Sequence, residues 1–209
     1  GPFFQTWDLA GRFPDILRDE VVGHEAQRVM SDGKRLLQRL MEGRWLQASG
    51  VIALLPANTV DDDTIEVYTD ESRREVALRW NPLRLQTERP VVEGVKRPNR
   101  SLADFIAPKG VAPDHIGLFA VTAGLGVEKK ERQFAADHDD YSAIMLKALA
   151  DRLAEAFAER LHQRVRTEFW GYASDENLGN EDLVAERYRG IRPAPGYPAC
   201  PDHRPKTDL

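Results

Sequence analysis

The sequence predicts an α+β fold with a largely antiparallel sheet, and three observations carry that prediction. Residues 64–69 and 75–80 alternate apolar and polar side chains on either side of a polar turn, the pattern of a hairpin. Residues 139–169 instead repeat apolar side chains every four positions, the pattern of one long helix. Along the chain the order helix, strands, loop, strand, helices, with hairpin-compatible spacing in the middle, favours hairpin pairing over a βαβ architecture.

Taken in order, Pro14 and Asp15 are suited to open a short helical turn. After it Val22, Ala26, Val29, Met30, Leu36, Leu37, Leu40 and Met41 recur at spacings of three and four, an amphipathic helix weakened at Gly33. Val51–Leu55 is short, apolar and β-branched at its start, which predicts a buried strand stopped by Pro56. In the hairpin Ile65 and Val67 alternate with Glu66 and Tyr68, and Val76, Leu78 and Trp80 alternate with Glu75, Ala77 and Arg79. Residues 81–100, with three prolines and several arginines, read as a long loop. Residues 116–122, IGLFAVT, are nearly continuously apolar and predict a central strand covered on both faces.

In the long helix Met145, Leu149, Leu153, Phe157, Leu161, Val165 and Phe169 advance about 400° per step, so the stripe drifts slowly around one partly buried helix ending near Gly171. Asp139 or Asp140 can cap its start. A shorter helix is expected from about Asn180 to Arg189, followed by YRGIRPAPGYPACP at 188–201, which can be neither helix nor strand. Such a run is a tail or a site.

Composition narrows the function classes. The chain of 209 residues is 42% hydrophobic with 29 basic against 34 acidic side chains, a formal charge of −5, which offers no basic field for nucleic acid or an anionic membrane. No stretch nears the roughly 18 apolar residues of a membrane span and no signal-peptide pattern opens the chain, so a cytoplasmic location is expected. One cysteine, Cys200, excludes an internal disulfide, and Cys200 with His203 is half of a zinc site at most. No metal is therefore expected, and no catalytic residue is assigned.

Two further patterns compete with bland explanations. Gly124-Leu125-Gly126 has a dinucleotide-loop flavour but lacks the third glycine, Lys129 standing there, and reads as a turn. Asp151, Glu155 and Glu159 form an acidic row on the long helix, which is either a solvated face or the wall of a cleft that takes a cation. The closing loop carries the chemistry of a ligand site. Arg192 can clamp a carboxylate with two parallel hydrogen bonds, Gly196 lets backbone pass close to a ligand, and Tyr197 offers a hydroxyl and a π-face to a positive centre. Together they suit a zwitterion.

GIRPAPGYPACPDH at 190–203, preceded by DDYSAIMLKALADRLAEAFAERLHQRVR at 139–166, closely resembles the reactivation domain of cobalamin-dependent methionine synthase. PFFQTWDLAGRFP at 2–14, GVIALLPANTVDDDTIEVY at 50–68 and LADFIAPK at 102–109 extend the resemblance over essentially the whole chain, and an R-x-x-x-G-Y motif in this setting is specific. The resemblance implies a bent, C-shaped α+β domain, with a twisted antiparallel sheet and long flanking helices, that binds S-adenosylmethionine. It further implies that the domain caps a cobalamin held by another domain of the same parent chain. There it supports reductive methylation of inert cob(II)alamin with an electron from flavodoxin or an equivalent reductase. On that reading the chain is one part of a methyltransferase and contributes positioning, not acid–base chemistry.

Carried over position by position, Arg192 matches the arginine that holds the methionyl carboxylate and Tyr197 matches the motif tyrosine, while Pro193, Ala194 and Gly196 supply backbone contacts. Glu155 and Glu186 match acidic positions near the family's ligand pocket. The family pattern has an Ile-Asp-Trp segment before Pro-Phe-Phe and continues well past the motif loop, so residues 1–209 are expected to be a reactivation domain incomplete at both ends. The competing reading is a docking module for the reductase and the cobalamin domain that holds no ligand of its own.

Overall fold

The computed structural model describes residues 2–92 and 94–204. They fall into two compact units, one of Gly1–Val51 with Ala120–Phe169 and one of Ile52–Phe119 with Trp170–Leu209. Mixed helix and a four-stranded antiparallel sheet, in the order β3 (Val76–Trp80), β2 (Ile65–Tyr68), β1 (Gln47–Thr59), β6 (Asp114–Leu125), give the α+β class that the hairpin pattern predicts.

The first unit is built by helices. α1 (Pro2–Gln5) and a 3-10 turn at Asp15–Arg18 precede α2 (Gly23–Glu42). Gly33 does not break α2: it is buried, and a Cβ there would come within 2.7 Å of the Phe3 ring, so the missing side chain is the seat for that ring. Phe3 meets Phe4 edge to face at a centroid distance of 5.4 Å, and tilted contacts of Phe3 with Trp7 at 5.4 Å and of Trp7 with Tyr141 at 6.0 Å continue the aromatic row. After Gly126, α3 (Val127–Ala136) leads to α4 (Asp140–Arg164), whose start is capped by Asp139 accepting the Ser142 N–H at 3.0 Å. Met145, Leu146 and Leu149 of α4 pack with Val29, Leu36 and Leu40 of α2 and Phe134 of α3 in one core. The α-helix stops at Arg164 and continues as a π turn, Val165–Phe169.

In the second unit β2 (Ile65–Tyr68) and β3 (Val76–Trp80) form the expected antiparallel hairpin, Ile65 opposite Trp80 and Val67 opposite Leu78. The polar turn is closed by Asp70, which accepts the Ser72 N–H at 2.8 Å. All four residues of β2 are buried, Glu66 and Tyr68 included, because β2 is an interior strand. Ala57, Ile65, Val67, Trp80, Ala103, Ile116 and Cys200 make the core of this unit.

Four sequence expectations are corrected. Pro56 does not stop β1, which runs Gln47–Thr59: the ladder to β2 starts at Ala57, one residue beyond the proline, so the missing N–H is not needed for that pairing. β6 (Asp114–Leu125) is not central but stands last in the sheet order, and only Ile116 and Ala123 in it are buried. The last helix, α5, spans Asn180–Val184 and does not reach Arg189. Residues 81–100 hold a small hairpin, β4 (Val91–Val92) with β5 (Val95–Lys96), and are tied down at Arg84. The Arg84 guanidinium donates to Asp63 at 2.9 Å, to Asp104 at 2.7 and 2.8 Å, and to the carbonyls of Asp62 and Asn99.

α5 ends for a visible reason. Glu186 takes φ +55°, its N–H donates to the Leu183 carbonyl and the Arg187 N–H to the Asp182 carbonyl, the two bonds of a Schellman motif. Arg44 after α2 and His138 after α3 do the same at φ +47° and +55°. Three helices thus end on a left-handed residue that is not glycine.

Candidate functional site

The proline-rich run is built into the second unit rather than trailing from it. Cys200 is 1% exposed and belongs to the core, so its thiol side chain is the anchor of the loop. Around that anchor the backbone closes on itself: Gly196 N–H donates to the Cys200 carbonyl at 2.7 Å and Cys200 N–H to the Tyr197 carbonyl at 2.8 Å. Tyr197 N–H donates to the Ala194 carbonyl at 3.0 Å. From outside the loop, the Leu102 N–H donates to the Ala199 carbonyl at 2.8 Å. At its other end the Tyr172 hydroxyl donates to the Arg189 carbonyl at 3.3 Å and the Arg189 guanidinium lies 5.9 Å from the Tyr172 ring centroid.

This closure sets the exposure of each motif residue. Arg192 and Pro193 are half-buried, whereas Ala194, Gly196 and Tyr197 are exposed, Tyr197 by 64%. Burial pushes the Arg192 guanidinium down from its ordinary range, with Tyr197 acting against that shift. A half-buried cation next to a phenol suits an anionic group that arrives with its own oxygen acceptors. Gly196 lies at φ +100°, a conformation costly for any other residue, and a Cβ there would meet the His203 ring at 2.1 Å.

The two acidic candidates sit in different settings. Glu186 is exposed in the same unit as the loop, at the left-handed position after α5. Glu155 is exposed on α4 in the other unit and pairs with Arg152 at 2.7 Å. Asp151 is likewise exposed, as a solvated face predicts. Cys200 and His203 do not make half of a metal site, since the thiol is turned into the core; among the described residues no group of three or more His, Cys, Asp or Glu side chains could hold an ion. None of the described helices is long and apolar enough to cross a membrane.

Sequence patterns missed two buried charged groups. Glu66, 2% exposed, accepts from Lys109 at 2.9 Å, Arg79 at 2.8 Å and the Tyr68 hydroxyl at 3.1 Å. Arg166, fully buried in the π turn, donates to His162 Nδ1 at 2.7 Å. Strand alternation predicts Glu66 outside, and its only signal is Lys109, distant in sequence. Arg166 is masked by lying just off the apolar stripe of a basic helix end.

An α+β domain with a preformed, core-anchored loop that displays arginine and tyrosine is the class these features define. Residues 1–209 match the family model for the activation domain of vitamin B12 dependent methionine synthase, and the chain belongs to that family. It is also similar to the crystal structure of the MetH reactivation domain bound to AdoHcy, with 54% identity and a TM-score of 0.87 over 99% of this chain. The match covers 62% of that structure's chain, so the present chain spans under two thirds of it.

Proposed function

We propose that this domain binds S-adenosylmethionine through the 192–197 loop and thereby serves reductive methylation of cobalamin in its parent methyltransferase. The observation that carries the reading is the AdoHcy-bound relative, 54% identical over 99% of this chain, taken with a motif loop folded here into a closed, anchored shape. When bound, S-adenosylmethionine supplies an activated methyl group for the reduced cobalt of a cobalamin held by another domain of the parent chain. The electron comes from flavodoxin or an equivalent reductase.

The chain's own residues bind and orient. Arg192 takes the methionyl carboxylate in two parallel hydrogen bonds, and the backbone of half-buried Pro193 and of exposed Ala194 and Gly196 lies along the ligand. Tyr197 presents its hydroxyl and ring, and Glu186 offers negative charge to the ligand's cationic end. The donor set fits the ligand: a zwitterion with a sulfonium needs one strong carboxylate clamp, a π-face or carboxylates for positive charge, and no proton donor or acceptor for the methyl transfer.

Calorimetric titration of the full-length protein with AdoHcy tests the proposal. Losing a hydrogen-bonded charge partner costs about 1.5–3 kcal/mol, so Arg192→Ala should weaken binding roughly 10- to 150-fold, with Arg192→Lys recovering only part of it. Equal affinity for wild type and Arg192→Ala would sink the assignment of Arg192, and no binding by wild type would favour a docking module that holds no ligand.

A further inference from the structure

We infer that His203 is a positioning residue for the ligand loop, a planar wedge that holds Gly196 and so aims Tyr197. This rests on the binding role proposed above for Tyr197. After Cys200 enters the core the chain turns back, and the His203 ring comes to lie where a side chain on Gly196 would stand: an ideal Cβ would be 2.1 Å from Cε1, 2.3 Å from Nε2 and 3.1 Å from Nδ1. Glycine at 196 is therefore required twice, for φ +100° and for the imidazole.

The return path is set locally. Asp202 Oδ1 accepts the Arg204 backbone N–H at 2.9 Å, and both Asp202 oxygens accept from the Arg204 guanidinium at 2.6 to 3.0 Å. Those bonds hold the Asp202 carboxyl down at about 2. On the other side of the ring, the hydrogen bonds from Gly196 to Cys200 and from Cys200 to Tyr197 close the loop into a small cycle. Anchored by Cys200 below and His203 alongside, that cycle leaves Tyr197 exposed but with little backbone freedom. Pre-ordering an exposed aromatic lowers the ordering cost that a ligand must otherwise meet.

The wedge acts by shape, which separates it from a ligand contact. In the full-length protein, 3-fluorotyrosine placed at 197 reports the loop directly by fluorine NMR, without ligand. His203→Ala should shift or broaden that resonance and weaken AdoHcy binding about tenfold, while His203→Phe, which keeps a flat ring, should restore both to within about threefold. His203 is exposed, so the alanine variant should fold, and an unchanged melting temperature confirms it. An unmoved resonance overturns the inference, as does a moved resonance with wild-type affinity, and so does a loss of affinity that His203→Phe fails to restore. Wild-type protein that fails to bind AdoHcy, with the resonance moving as expected, would overturn the binding reading and leave the wedge standing.

Discussion

Burying a carboxylate costs several kcal/mol unless donors replace the water it gives up. Glu66 receives three such donors, and two of them, Lys109 and Arg79, keep much of their side chains in solvent, so only one charge of the group is fully desolvated. Lys109 also lies 5.5 Å from the Tyr68 ring centroid and Arg73 5.7 Å from it, which fixes the ring beside the carboxylate. The Lys109 hydrogen bond holds the Glu66 carboxyl below its ordinary range against the opposing effect of burial. A folded-state value below the unfolded one, about 4.3, means that this stabilisation is present above that pH and is lost as pH falls through the folded value. Glu66→Gln should therefore cost about 1–3 kcal/mol at pH 7 by urea unfolding, and the gap to wild type should narrow below about pH 4. A gap that is the same at both pH values would show that the charge is not what stabilises.

At the scale of elements, legibility follows how local the cause is. α4 and the β2–β3 hairpin could be read because their periodicities and the Asp139 cap lie within the element itself. The edge position of β6 and the passage of β1 through Pro56 depend on which strand lies alongside, and no single-strand pattern carries that. The motif residues of the loop could be named, but its anchoring by Cys200 could not, since a lone cysteine in a proline-rich run gives no sign of reaching a core. The end of α5 is the clearest miss, because Glu186 is not a glycine and still takes the left-handed position, as Arg44 after α2 and His138 after α3 also do. Each pays about 1–2 kcal/mol of steric cost there, partly offset by glycine's greater entropy loss, so His138→Gly should raise stability by about 0.5–1 kcal/mol. Glu186→Gly turns the same geometry into a functional test. It keeps the helix end and removes only the carboxylate, so a severalfold loss of AdoHcy affinity at unchanged or higher melting temperature assigns that carboxylate to the ligand. Unchanged affinity removes Glu186 from the site.

For the molecule as a whole, ligand binding and stability are one equilibrium. A ligand that binds only the folded chain stabilises it by about 2.7 kcal/mol at a free concentration of 100 times Kd, whatever contacts it makes. In a chain of 209 residues each kcal/mol moves the melting midpoint by about 2–4 °C, so saturating AdoHcy should raise it by roughly 5–11 °C. The shift must follow the loop. Arg192→Ala, compared at the same ligand concentration, should lose about half to nine-tenths of it, because a 10- to 150-fold weaker Kd brings that concentration to between about ten times Kd and below it. His138→Gly should instead move the midpoint without ligand and keep the full ligand increment, since a helix end remote in mechanism from the loop alters folding and not affinity. The two behaviours separate binding from folding in a single calorimetric series. An AdoHcy increment that survives Arg192→Ala intact would place the ligand elsewhere on the molecule.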